Sequence, residues 1–236
     1  MKRNDNLLKE IIKKLFHFFN LEITRIRKKE TEDNKEPKQY TALLNGWVPC
    51  QIESYFLALN KYVNQNDRIL DVGFGMGFGL IILAIKAGVV NGIDIDTIAL
   101  DYCKNVIVDR IPKLNYLNTY DGYNIDFPDN YFDIVTCVDV IEHVEDYERL
   151  IREMLRVSKK GIFINTPNRR PEYTGKDGKP LNHWHLREWS FEEFDNIIRK
   201  FGDIDWNFLN GSWNGPFELS CEVTKDSLTL TPFIKK

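Results

Sequence analysis

The stretch Ile69–Gly79, ILDVGFGMGFG, decides the fold. A short apolar run (RILDV, 68–72) ends in Asp71 and Val72, glycines follow at 73, 75 and 77, and an apolar segment predicts a helix from Phe78. Glycine tolerates positive φ and lets backbone approach a ligand closely. The helix beyond directs its unpaired N–H groups into the same space. Such a loop at the carboxyl end of a strand is where open α/β sheets bind ligands. A nicotinamide fingerprint would need glycine where Phe78 stands, and a P-loop would need Gly-Lys-Ser/Thr, which is absent here.

Outward from this loop the chain alternates strands and helices. Helices are expected at 52–63, 78–87, 97–106, 146–157 and 191–201. Strands are expected at 68–72, 89–93, near 116–119, 132–138 and 161–165, with two or three more in the tail from Ile204. Repeated β-α units predict a mostly parallel sheet with helices on both faces.

Four further segments follow in order: GIDID (92–96), YDGYNIDFPDNYFD (120–133), IVTCVDVIEHVED (134–146) and RVSKKGIFINTPN (156–168). Together with DVGFGMG they resemble the motifs of class I S-adenosylmethionine (SAM)-dependent methyltransferases of the small-molecule and glycan type, over roughly residues 45–202. The resemblance implies an α/β, doubly wound, seven-stranded Rossmann-like sheet and SAM as cofactor. It implies a cofactor set of Asp71, Gly73, Gly75, Gly77, Asp94, Ile95, Asp121, Gly122 and Val138. In it Asp94 would accept from the ribose hydroxyls and Asp121 from the adenine amino group, with Gly122 offering backbone beside the ring. Asp96 is the better-placed cap for the helix at Thr97, and Met76 and Phe78 read as packing residues.

The loop beyond the fourth strand holds Asp139, Glu142 and His143, which on a helix would share one face. An oxygen acceptor near its resting pKa needs a base or a metal. Three roles stay open: a base centred on His143 with Glu142, a scaffold that shapes the pocket, and a metal site. Similar clusters occur in ubiquinone-pathway and RNA-terminus 2′-O-methyltransferases. There the resemblance implies Mg²⁺ or Mn²⁺ held by Asp139, Glu142, His143 and His185, the last of which precedes Glu188-Trp189.

The chain has 236 residues, 43% of them apolar, and 15 Phe, 10 Tyr and 5 Trp, which excludes a disordered class. No run of about 18 apolar residues suggests a membrane span. The four cysteines (50, 103, 137, 221) form no CxxC pair, which fits a reducing cytoplasm. Residues 1–30 carry nine Lys/Arg and four acids, against 23 and 31 in the remainder. The body thus lacks the basic excess of a nucleic-acid binder. Leu7, Leu8, Ile11, Ile12, Leu15, Phe16 and Phe19 predict a basic amphipathic helix over 6–28. It would pack on the domain or a second copy, or lie on anionic lipid as a peripheral membrane contact. Polar residues 29–39 read as a linker, dividing the chain into 1–39 and a domain over 40–236.

The start of the chain and the TPN…H…EWS pattern are similar to methyltransferases of bacterial surface-glycan assembly. The expected function is O-methylation of a sugar or glycan intermediate or other small molecule. A quinone-like metabolite, an RNA terminus and a SAM-binding protein without turnover are the alternatives.

Overall fold

The strand that the glycine loop closes, β1 (Arg68–Val72), lies in the middle of the sheet and is buried from Ile69 to Val72. A strand covered on both faces is an uninterrupted apolar run rather than an alternating one. The computed structural model describes residues 48–111, 113–209, 219–220 and 227–236. The expected amphipathic helix at 6–28 and the linker at 29–39 lie outside the described residues.

The chain enters through helix α1 (Val48–Lys61), which precedes β1. Next come α2 (Phe78–Ala84), β2 (Val89–Asp94), α3 (Thr97–Tyr102) and β3 (Leu114–Thr119). After these come β4 (Phe132–Val138), α4 (Tyr147–Val157), β5 (Ser158–Pro167), α5 (Phe191–Ile198), β6 (Asp203–Leu209), β7 (Leu219–Ser220) and β8 (Thr229–Lys235). The sheet order is β3-β2-β1-β4-β5-β8-β6-β7. The first five strands are mutually parallel, while β8 runs antiparallel to both β5 and β6. Among the described residues the seven long strands form the expected sheet, and β7 adds a two-residue edge to β6.

Two apolar cores sandwich the sheet. One packs Tyr55, Leu80, Leu83, Leu100 and Ile107 against Ile69 and Ile134. The other packs Leu150, Ile151, Met154, Phe194 and Ile198 against Leu70, Val135 and Ile162. In α4 the buried set Leu150, Ile151, Met154 and Val157 recurs at helical spacing, and Asp146 caps the helix by accepting from Arg149 N. In α5 Ser190 and Glu193 form a reciprocal capping box.

Several observed boundaries differ from those expected; α1, for one, runs from Val48 to Lys61 and not over 52–63. α2 stops at Ala84 rather than residue 87, and the helix after β2 leaves α geometry at Cys103 for one π turn (Cys103–Ile107). β5 extends from Ser158 to Pro167 because β8, far along the chain, pairs with it to Pro167. None of the described helices is long and apolar enough to cross a membrane.

The chain goes from β1 outward to β2 and β3, then returns to β4 on the other side of β1. The carboxyl ends of β1 and β4 therefore form the topological switch point, where such sheets open a crevice. Register aligns Val72 with both Ile93 and Cys137, so the loops after β1, β2 and β4 emerge side by side.

Candidate functional site

The glycine loop is held from below and from the side. Gly73, Gly75 and Gly77 all have positive φ, at 76°, 51° and 81°. At Gly73 a Cβ would also lie 2.3 Å from Val140 Cγ2, so this glycine is what lets the loop after β1 touch the loop after β4. Met76 and Phe78 are buried and pack with Ile52 and Tyr102, as expected of packing residues.

Asp71 is fully buried below the loop. Tyr55 Oη donates to both of its oxygens at 3.1 Å, and Thr136 Oγ1 donates to Oδ1 at 2.7 Å. Burial pushes its carboxyl up to about 7, although the Thr136 and Tyr55 hydroxyls work against the shift. At the tip of β2, Asp94 Oδ2 accepts from Gly75 N and Oδ1 from Asp96 N, at 2.8 and 2.9 Å. Burial raises its pKa against those hydrogen bonds. Asp96 caps α3 by accepting from Ile98 N.

The next wall is Ile95, with 58% of its surface exposed, facing Gly122. The position a Gly122 Cβ would take lies 3.6 Å from Ile95 Cγ2. Asp121 serves its own loop, accepting from Tyr123 N at 2.8 Å and Asn124 N at 2.6 Å and from the Asn124 side chain. Those donors hold its carboxyl below the usual range. Val138 closes β4 and is buried beneath the crevice.

Across the crevice the expected cluster forms, but not on an α-helix. Asp139 N–H donates to Asn165 O at 3.0 Å, extending the β4–β5 ladder by one bond, and the residue then turns at φ 52°. A single 3₁₀ turn, Ile141–His143, follows. A non-glycine residue at positive φ is uncommon and is often tied to a site.

Glu142 is completely buried, and Thr166 Oγ1 donates to its Oε2 at 3.0 Å. Its Oε1 lies 3.9 Å from His143 Nε2. His143 Nδ1 sits 2.7 Å from the Trp184 carbonyl. A carbonyl only accepts, so Nδ1 carries a proton, and Nε2 is the nitrogen that faces Glu142. The His185 ring meets His143 edge-on, with centroids 4.9 Å apart. His185 Nδ1 lies 2.6 Å from Glu188 Oε1, and its Nε2 lies 2.8 Å from the Asn182 amide.

Gln51 Nε2 donates to Asp139 Oδ2 at 3.1 Å from helix α1. Burial pushes the Asp139 carboxyl up to about 6, with the Gln51 hydrogen bond and the His185 charge working against the shift. Glu142 is raised well above its ordinary value by burial first and then by Asp139.

Polar atoms left without a partner mark the cluster as a candidate cation site. Three buried carboxylate oxygens in this cluster accept no hydrogen bond among the described residues: Asp139 Oδ1, Glu142 Oε1 and Glu188 Oε2. One ligand atom each from Glu142, His143 and His185 falls within 4.8 Å of the others. Unpartnered buried carboxylate oxygens are costly, and a divalent cation with oxygen and imidazole ligands would relieve the cost. The residues fit such an ion.

Sequence reasoning did not single out Gln51, Tyr55, Thr166 or the Glu188 carboxylate. Gln51 and Tyr55 stand four apart on α1, and a polar pair at that spacing, on a helix expected to pack on the sheet, was the available signal. Glu188 stands three residues after His185, in reach of its ring.

A family model described as a methyltransferase domain matches residues 70–164. A probable S-adenosylmethionine-dependent methyltransferase of Mycobacterium tuberculosis is 28% identical over 174 residues, covering 70% of this chain and 61% of that protein. A ubiquinone biosynthesis O-methyltransferase of Coxiella burnetii is 32% identical over 116 residues, covering 46% of this chain and 49% of that protein. The chain therefore spans about half to three fifths of the length of these curated relatives. Among solved structures, a SAM-dependent methyltransferase of Thermotoga maritima, described as a possible histamine N-methyltransferase, superposes with a TM-score of 0.61. It is 19% identical, and the match covers 84% of this chain and 97% of that one.

Proposed function

Because the chain belongs to the class I SAM-dependent methyltransferases, we propose that it methylates a hydroxyl oxygen of a sugar or glycan intermediate. The observation that carries this reading is the pairing across one crevice. A glycine loop braced by Asp94 touches, through Gly73 and Val140, a loop that presents His143 Nε2 among buried carboxylates.

SAM supplies a methyl group already activated on a sulfonium, so the protein has mainly to align the reactants and exclude water. Asp94 retains lone pairs for the ribose hydroxyls beside the two backbone donors it already holds. Ile95 and the Gly122 backbone flank the adenine face. Asp121 faces its own loop with both oxygens, so a contact to the adenine amino group would share acceptors already in use. Asp71 acts from beneath the loop, through Tyr55 and Thr136.

At the acceptor, His143 Nε2 takes the hydroxyl proton as the oxygen attacks the methyl carbon. The C–O bond forms, the S–C bond breaks, and S-adenosylhomocysteine departs as a neutral thioether. The Trp184 carbonyl holds the imidazole in the tautomer this step needs. In the alternative cation route His143 would be a ligand and not the base: Glu142, His143 and His185, with Asp139 beside them, would hold Mg²⁺ or Mn²⁺, which would supply Lewis-acid polarisation of the acceptor oxygen.

A quinone-like phenol is the second reading. It is favoured by the 32% identity to a protein named for ubiquinone biosynthesis.

The test is calorimetry with SAM, followed by S-adenosylhomocysteine release with panels of glycans and catechols, with and without chelator. Binding and turnover on a glycan support the proposal, and turnover on catechols alone supports the second reading. Loss of activity in chelator with recovery in Mg²⁺ or Mn²⁺ identifies the cation route, and indifference identifies His143 as a lone base. Absence of SAM binding, or binding without turnover on any hydroxyl acceptor, overturns the proposal.

A further inference from the structure

The segment between β5 and α5 leaves an unusual surface. Four of its large apolar side chains are exposed: Tyr173 at 40%, Leu181 at 63%, Trp184 at 56% and Leu186 at 52%. The backbone beneath them is ordered. Thr174 and Pro180 form an antiparallel bridge, Leu181 N donates to Tyr173 O at 2.8 Å, and Gly175 N donates to Lys179 O at 2.7 Å. Gly178, at φ 79°, closes the tip. Asn182 Oδ1 then accepts from Trp184 N at 3.1 Å, and Asn182 O from His185 N at 3.0 Å. The side chains are therefore displayed by a hairpin and a capped turn.

The tip also carries charge. Lys176 and Lys179 are exposed, and neither enters an ion pair among the described residues. Asp177 is the one acid between Tyr173 and Arg187. A chain with a net charge of −3 thus places two cations beside four exposed apolar groups.

The same segment is bonded to the reactive cluster. Trp184 O accepts from His143 Nδ1, and Leu186 N donates to Glu142 O at 2.9 Å. The turn that displays Trp184 is thus hydrogen-bonded to the His143 ring.

We propose that the hairpin 173–187 docks on an anionic bilayer and that the methyl acceptor is an amphiphile whose polar headgroup is presented there. Apolar side chains with lysines beside them suit the headgroup boundary, where the rings and leucines enter the acyl region and the cations meet phosphate. With no described helix able to span, the contact is peripheral. The amphiphilic nature of the acceptor rests on the methyl-transfer reading, whereas the docking does not.

The test uses the full chain with vesicles of phosphatidylglycerol and phosphatidylcholine, and with phosphatidylcholine alone. Co-sedimentation should favour the anionic vesicles and weaken at high salt. L181D/L186D should lower partitioning by about tenfold or more, since each leucine contributes through its buried area. K176E/K179E should remove the preference for anionic lipid. Bromine-labelled lipid should quench tryptophan emission, and W184F should lose most of that quenching. SAM calorimetry on each variant should match the parent, showing that the fold and the cofactor site are intact. Unchanged partitioning in L181D/L186D overturns the proposal, as does quenching that persists in W184F. Binding that disappears only when residues 1–47 are removed assigns lipid contact to that segment and also overturns it. If SAM fails to bind while the vesicle results hold, the methyl-transfer reading falls and the docking stands.

Discussion

Asp94 holds two backbone amides before any ligand arrives: Gly75 N through Oδ2 and Asp96 N through Oδ1. Its replacement removes both a ligand partner and the brace of the glycine loop. Asp94→Ala should weaken SAM binding by about 1.5–3 kcal/mol, the range for a charge-assisted hydrogen-bonding group. Calorimetry on the folded variant reads this directly, and unchanged affinity would remove Asp94 from the ribose site. His143 belongs to the other side of the crevice. His143→Ala should slow turnover about 10²–10⁴-fold, the usual contribution of a positioned base, with SAM affinity preserved. A parallel fall in SAM affinity would mean that His143 supports the loop and not the acceptor.

At the scale of elements, α1 connects the two halves of the site. Gln51 reaches Asp139 and Tyr55, one turn later, reaches Asp71. Tyr55→Phe leaves Thr136 as the remaining side-chain donor to a buried carboxyl, which should cost about 1–3 kcal/mol. The urea midpoint should fall while the slope stays constant. No change in midpoint would show that Asp71 is satisfied without α1. Likewise, α5 begins at the Ser190 cap, two residues after Glu188, so the cap positions the Glu188–His185 pair. Ser190→Ala should cost about 1 kcal/mol. Thermal melts report that loss, and an unshifted melt would show that packing of Phe194 alone sets the start of the helix.

For the whole molecule, the buried acids set a pH dependence. Burial raises Asp71 to about 7 from 3.8, and Glu53 to about 7 from 4.5. Between the unfolded and folded values the native state binds more protons than the unfolded chain. Stability must therefore fall as pH rises through that window and level off above about 7. Acids whose values are lowered, such as Glu153 and Glu193, act with the opposite sign and at lower pH. The melting temperature at pH 6 should exceed that at pH 8 at constant ionic strength, and Asp71→Asn should flatten the difference. A melting temperature that rises from pH 6 to 8 would contradict the burial of these groups.

The sequence by itself determined the alternation of strands and helices, the position of the glycine loop, and the cap at Asp96. These depend on near neighbours: glycine's freedom at positive φ, the apolar period along a helix, and a side chain reaching its own backbone two or three residues on. It also marked Asp139, Glu142, His143 and His185. The helical face expected for the first three did not form, because Asp139 extends the ladder to Asn165 and then turns left-handed. Only the tertiary structure decided how the cluster closes. Gln51, Thr166, Trp184 and Glu188 arrive from α1, β5 and the hairpin segment, at separations along the chain that no local pattern records. The tautomer of His143 is set by a carbonyl 41 residues away. The elevated carboxyl of Asp71 comes from its complete burial in the assembled fold. Burial and hydrogen-bond partners across a fold are properties of packing, and packing is settled when distant elements meet.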